Sequence, residues 1–283
     1  MILNRKLNRV STRNNAYQHL EVVKRNRAKR TKFGEIVVQG VQPINLCVSS
    51  GIRIKQVYFT DYDGLSPWAM DLIENQPQAD LYQVAPGLMA EISDRDDGSE
   101  LILIAQQPEH NVDQMPLNRI LILDRPSSPG NFGAIVRTCS AFSIEAIFIS
   151  GHGIDPYDPK SIAASRGALF VLPLVKLQSN GELEMVLAKG KRTKGFTVYG
   201  SSAKLGVDLR TETISDRFAL IIGNETSGMT AHLKGLADII LKIPIHGEVT
   251  SLNAACATSI LVYELTGLLT KPEQKTAGPD ENP

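Results

Sequence analysis

Three short segments between residues 120 and 265 hold polar residues of the kinds that orient substrates and stabilise charge. The first, ILILDRPSSPGNFGAIVRTCSAF (120–142), runs from a strand-like stretch through a loop with Pro126, Pro129, Gly130 and Gly133 into a helix bearing Asn131 and Arg137. Such a loop lets backbone approach a ligand closely, and Arg137 has no evident local structural duty. The second, FALIIGNETSGMT (218–230), ends an apolar strand on Gly223, Asn224 and Glu225 and turns at Gly228. A carboxylate at the C-terminal end of a strand usually faces a site in an open α/β sheet. The third, LKIPIHGEVTSLNAACATSILVYEL (241–265), passes from a strand through a loop into a long apolar helix that opens on Ser251 and Asn253. Each segment also has a purely structural reading: Asn131 as a helix cap, Thr250 or Ser251 as the cap of the last helix, and the glycines as turns.

These residue types exclude several chemistries. Gly130 and Gly133 do not make a G-x-G-x-x-G fingerprint, and AIFISG offers no carboxylate at the end of the next strand, so a nucleotide-dependent oxidoreductase that binds NAD is disfavoured. Cys47, Cys139 and Cys256 lie far apart, and the five histidines show no ligand spacing, which predicts neither a metal site nor a disulfide framework. His246 alone falls in one of the three segments, and is expected to be exposed. The longest apolar stretch is broken by Thr258, Ser259, Tyr263 and Glu264, and the N-terminus is too charged for a signal peptide, so the expectation is a cytoplasmic protein with no membrane segment.

The elements that must position these residues follow an alternating pattern. From Asn118 onward RILILD, AIFIS, FTVYGS, FALIIG and DIILKIPI read as strands between helical runs, the signature of a parallel sheet covered by helices. Residues 35–106 form a smaller alternating set: EIVVQG, KQVYFT, LYQVAP and ELILIAQ as strands, with PINLCVSSG, PWAMDLIENQ and GLMAEIS as helices. The expected division is 1–110, then 118–270, with a polar tail over 271–283 whose composition cannot bury enough surface to order itself. Thirty basic and thirty acidic residues cancel overall, yet residues 1–35 hold ten Lys or Arg against only Glu21 and Glu35. Residues 14–32 read as one exposed basic helix capped by Ser11 or Asn14, serving either as a solvated face or as a phosphate-contacting surface.

Taken together and in order, Asn131-Phe132-Gly133 with Arg137-Thr138, GNETSG (223–228) and IPIHGEVTSLN (243–253) resemble the three motifs of the SpoU, or TrmH, family of SPOUT methyltransferases. The intervening ASRGALFVLPLV (164–175) fits the same family, so the resemblance spans about 119–269. Thr226-Ser227 and Ala254-Ala255-Cys256 depart from the usual pattern without removing a motif polar group. The resemblance implies an α/β fold: a SPOUT-type parallel sheet with a C-terminal trefoil knot, a homodimer, and S-adenosylmethionine as methyl donor to an RNA ribose 2′-hydroxyl. GEIVVQGVQPINLCVSSG resembles the ribosomal-protein-like RNA-binding domain of ribosomal-RNA members. That favours ribosomal RNA over transfer RNA, and RNA contact for Lys24, Arg25, Arg27, Lys29, Arg30 and Lys32.

By the same resemblance the cofactor lies against Gly200, Ile222, Gly223, Asn224, Ile243, Ile245 and Leu252. Arg137, Asn131, Glu225, Ser251 and Asn253 form the catalytic set, with Glu225 expected to partner Arg137. Arg137 acts either as a perturbed base or, more naturally for a group with a solution pKa above ~12, as an electrostatic orienter. The competing possibility is a noncatalytic RNA-binding factor on the same scaffold.

Overall fold

A computed structural model describes residues 5–93 and 98–267. The bound 270 and the tail 271–283 therefore lie outside the described residues.

In the N-terminal unit, β1 (Leu7–Val10), α1 (Asn15–Arg25), α2 (Arg27–Phe33), β2 (Glu35–Gln39), α3 (Val41–Ser49), β3 (Ile54–Phe59), α4 (Pro67–Glu74), β4 (Asp80–Val84), α5 (Pro86–Ser93) and β5 (Ile102–Gln106) follow one another. The strands form a mixed sheet in the order β1-β4-β3-β5-β2. The β1 strand is an addition to the expected set: LNRV is short and half polar, and becomes a strand by pairing in parallel with β4.

The single basic helix expected over 14–32 is two helices. Asn14 caps α1 by accepting from the Ala16 and Tyr17 N–H groups at 3.1 Å. Asn26, in an extended conformation, ends α1 and caps α2 by accepting from the Lys29 N–H at 3.1 Å. An asparagine whose amide can satisfy a new first turn makes such a break inexpensive. Nor is the run uniformly exposed, since Tyr17, Leu20 and Val23 of α1 are fully buried in a core with Val37, Tyr58 and Ile104.

The C-terminal unit comprises β6 (Arg119–Asp124), α6 (Pro129–Ala141), β7 (Ala146–Ser150), α7 (Pro159–Ala164), β8 (Leu174–Lys176), α8 (Asn180–Lys191), β9 (Phe196–Ser201), β10 (Val207–Asp208), β11 (Arg217–Ile222), α9 (Ala231–Leu236), β12 (Ile239–Lys242) and α10 (Ala254–Thr266). All neighbours in its sheet are parallel, in the order β10-β12-β9-β11-β6-β7-β8. The central strands are apolar without alternation, as burial on both faces requires: β6, β7 and β11 are buried along nearly their whole length. The C-terminal ends of β6, β9, β11 and β12 thus point their loops to one edge of the sheet.

One apolar cluster crosses between the two units, joining Ile36, Ile44 and Leu103 to Leu121, Leu169 and Phe170. Gly167, at φ +84°, lies so close to α3 that a Cβ there would sit 2.7 Å from the Pro43 Cα. Beside this contact Arg30 is only 2% exposed. Its guanidinium donates to Asp155 at 2.9 Å, to Asp158 at 3.0 Å, and to the carbonyls of Val23 and Lys24. Lys24 is buried too, donating to the Ile92 carbonyl. The RNA contact expected of Lys24 and Arg30 is therefore corrected: burial and internal partners exclude both from an outer surface. Arg25, Arg27, Lys29 and Lys32 remain exposed.

Candidate active site

Four loops meet at the C-terminal edge of the parallel sheet. After β6 the chain enters Arg125 at φ +51°, a left-handed conformation that non-glycine residues rarely hold. Its guanidinium donates to the buried Asp124 carboxylate at 2.9 Å and to the Gly228 carbonyl at 3.1 Å. Asp124 in turn accepts from the Thr230 N–H at 2.7 Å. From the other side, Asn224 donates to the Arg125 carbonyl at 2.8 Å while its Oδ1 accepts from the N–H groups of Thr226 and Ser227. Polar side chains therefore lace the β6 loop and the β11 loop together. Gly223 is required by this geometry, because a Cβ would sit 2.3 Å from the Met229 N.

Glu225 is the hub of the polar cluster. Its carboxylate accepts from Ser127 Oγ at 2.8 Å, the Ser128 N–H at 3.4 Å, Asn131 Nδ2 at 3.4 Å and Asn224 Nδ2 at 3.4 Å. Two carboxylate oxygens offer about four acceptor positions, so the group is fully occupied. Partial burial pushes its pKa up, but donors from its own backbone, Ser127, Asn131 and Ser128 outweigh that and hold it below the usual glutamate range. A saturated carboxylate of lowered pKa is a poor proton acceptor and a good positioning group.

Asn131 and Asn253 extend the cluster into the third segment. Ser128, rather than Asn131, caps α6 by accepting from the Asn131 N–H, which frees the Asn131 side chain for Glu225. Asn253 caps α10 by accepting from the Ala255 N–H at 2.8 Å, and its Nδ2 donates to Asn131 Oδ1 at 3.0 Å. The cap expected of Thr250 or Ser251 is thus supplied by Asn253, whose two-ended amide serves both purposes.

Beside this cluster lies a cavity of about 410 Å³. Its apolar wall includes Ile222, Leu241, Ile243, Ile245, Leu252 and Leu261, and its rim carries Ser201, Asn224, Glu225, Thr226 and Ser251. The Ser251 hydroxyl has no partner among the described residues. Six of the seven residues expected around the cofactor line this cavity; Gly200 does not. It is buried, and a Cβ there would meet Ile240 Cδ1 at 2.7 Å, so its smallness serves packing within the sheet. The lining begins instead at Ser201, the last residue of β9, and continues through Lys204. Ser202, Ala203 and Lys204, like Arg125, Ser127 and Ser128, carry no motif signal that would single them out in the sequence, whereas Asp124, a carboxylate closing an apolar strand, carries the same strand-end signal as Glu225.

Arg137 stands apart. It is exposed, lies nearly two turns along α6 on a different face from Asn131, and has no partner among the described residues; the Glu225 pairing expected for it is absent within the chain. It lines a second, open cleft of about 610 Å³ with Gln42 and Leu46 of α3, and with Arg166. His246 is exposed, as expected. Among the described residues no group of three or more His, Cys, Asp or Glu is placed to hold a metal ion, and no helix is long and apolar enough to cross a membrane.

The family model for the SpoU rRNA methylase family matches residues 118–263, and that for the SpoU L30e-like domain matches residues 14–104. The chain belongs to the SpoU rRNA methylase family. A curated SpoU relative, the 23S rRNA (uridine(2479)-2′-O)-methyltransferase of Streptomyces viridochromogenes, is 33% identical over 90% of this chain and 91% of its own length. The 23S rRNA (guanosine(2553)-2′-O)-methyltransferase RlmP of Bacillus subtilis is 25% identical over 84% of this chain and 91% of its own length. The crystal structure of the SpoU methyltransferase AviRb from Streptomyces viridochromogenes, in complex with AdoMet, superposes with a TM-score of 0.82 at 32% identity, covering 90% of this chain and 97% of that one. SpoU membership agrees with the expected α/β fold, and the return of β12 between β10 and β9 is compatible with the knotted threading that the resemblance implies.

Proposed function

We propose that this protein transfers a methyl group from S-adenosylmethionine to a ribose 2′-hydroxyl of ribosomal RNA. The observation that carries this reading is the meeting of the three motif segments in one polar cluster, Asn131–Glu225–Asn253, on the rim of an apolar cavity. Its support among relatives is that two with different target nucleosides share the ribose 2′-O reaction on 23S RNA. The nucleotide is accordingly not inherited from either.

The cavity volume falls in the ~300–1,000 Å³ range of small-molecule sites, and its wall of aliphatic side chains with a hydroxyl-rich rim suits a molecule with a flat heteroaromatic end and a polar amino-acid end. Ile222, Ile243, Ile245 and Leu252 would hold the former, and Ser251 and the backbone of 223–224 the latter. S-adenosylmethionine supplies an electrophilic methyl group on a sulfonium. Glu225 and Asn253 fix the position of Asn131, while Asp124 and Arg125 hold the two loops in register. Arg137, permanently charged, orients the ribose or its phosphate and stabilises the oxygen as its proton leaves. With Glu225 saturated, proton loss falls late, to solvent or substrate phosphate.

Because Arg137 does not face the Glu225 cluster of its own chain, the working enzyme is a homodimer in which Arg137 of one copy serves the cavity of the other. Residues 1–110 dock RNA through Arg25, Arg27, Lys29 and Lys32, and residues 118–270 perform the transfer; ribosomal RNA as substrate places the protein in the cytoplasm.

Mixing tests this arrangement. Arg137→Ala and Glu225→Gln proteins, each inactive alone, are co-folded in equal amounts and assayed for radiolabelled methyl transfer to 23S RNA. Half of the dimers are then mixed and one site in each is whole, so about a quarter of wild-type activity returns. No recovery above the parents would place Arg137 in its own chain's site. A noncatalytic factor on this scaffold would show no calorimetric binding of S-adenosylmethionine, where a working site gives micromolar-range affinity.

A further inference from the structure

The cleft at the junction of the two units is lined by Gln42, Leu46, Arg137, Thr138, Ser140 and Arg166 among others. No carboxylate contributes to that lining, and neither guanidinium has a partner among the described residues. Two unneutralised cations in one open cleft mark a surface for a polyanion.

Arg166 adds a second, independent observation. It follows the end of α7 at φ +50°, in the left-handed conformation that helix C-termini ordinarily assign to glycine. The turn is fixed from both sides. Its N–H donates to the Ala163 carbonyl at 3.0 Å, the buried Ser165 hydroxyl donates to the Ile162 carbonyl at 3.0 Å, and Gly167 is pressed against Pro43. A long charged side chain is thus held in a costly backbone conformation and lines the cleft from a rigid mount. Strain kept at an exposed cation, where glycine would relieve it, points to use rather than packing.

We propose that this cleft is a phosphate-binding track for the RNA strand, with Arg166 a direct phosphate contact and Gln42 a hydrogen-bonding neighbour. The proposal rests on the RNA-methylating function proposed above, and names a substrate contact outside the three motifs. The cleft runs from α3 to Arg137, so a strand lying in it is delivered to the residue assigned to the ribose. Phosphate contacts of this kind fix register without reading sequence.

The test uses the full-length protein and transcribed 23S RNA, with affinity measured across salt concentration. Arg166→Gly removes the cation and the strain together. Its melting temperature stays at or above that of the wild type, its affinity falls about fivefold, and the slope of log affinity against log salt flattens by about one. Arg166→Asn, which also tolerates the left-handed region, behaves alike. Lys194→Gln, which removes an exposed cation just past the end of α8, changes neither quantity. Unchanged affinity and slope in both Arg166 variants overturns the proposal, as does an equal loss in Lys194→Gln; lowered melting with intact affinity would assign Arg166 to the fold. Methyl transfer by the wild type to the same RNA is scored separately, so absence of transfer would count against the function and not against the track.

Discussion

Arg30 and Arg137 carry the same side chain into opposite settings on the two sides of the domain junction. Arg30 is enclosed, with two carboxylates and two carbonyls around one guanidinium. Arg137 stands in an open cleft with its donors unused among the described residues. The contrast teaches that a cation's role is set by what already satisfies it: Arg30 is committed to holding the two units together, whereas Arg137 keeps its donors available. The same distinction separates Glu225, saturated by four donors, from the Ser251 hydroxyl at the same rim.

The sharpest way to break this comparison is to truncate both arginines. Arg30→Ala leaves Asp155 and Asp158 facing a buried void without a counter-charge, a change that costs about 3–5 kcal/mol. Chemical denaturation should record that loss, while Arg137→Ala stays within about 0.5 kcal/mol of the wild type. Equal effects would remove the distinction.

A smaller effect separates packing from ligand contact among the motif glycines. Gly133 looks like a ligand-approach residue, yet a Cβ there would lie 2.4 Å from the Ala164 Cβ and 2.5 Å from backbone. Gly133→Ala is therefore expected to destabilise by about 1–3 kcal/mol through forced separation of α6 and α7. Cofactor affinity, measured calorimetrically below the melting range, should change little.

The smallest effect is a pH dependence. The Glu225 pKa is held below its ordinary value of 4.5, so its stabilisation of the clustered loops is complete above that value. It is lost as pH falls through the lowered folded-state pKa. Cofactor affinity should accordingly hold down to about pH 5 and fall on further acidification, and in Glu225→Gln that component of the acid dependence should vanish. An identical acid profile in the variant would move the titration to another group.

The strands are largely legible in the sequence because burial on both faces demands long apolar runs, and RILILD, AIFIS and FALII admit little else. β1 is not, because LNRV becomes a strand only through β4, more than seventy residues away. The motif polar residues are legible as a set, since caps and turns alone give no reason for Asn131, Glu225 and Asn253 to occur together. Their individual tasks are not: the capping of α6 falls to Ser128, and the Glu225 carboxylate expected to pair with Arg137 is taken by Ser127, Ser128, Asn131 and Asn224.

By itself, then, the sequence determined the alternating architecture and the three polar segments that the fold brings together at one edge of the sheet, because hydrophobic periodicity and residue type are local properties. Only the tertiary structure decided which charges are already satisfied and which are available. Lys24 and Arg30 sit in the same basic run as Lys29 and Lys32, and nothing in their spacing reveals that Ile92, Asp155 and Asp158 are waiting for them. Hydrogen-bond satisfaction depends on groups brought together across more than sixty residues of chain, and that information exists only once the chain has folded.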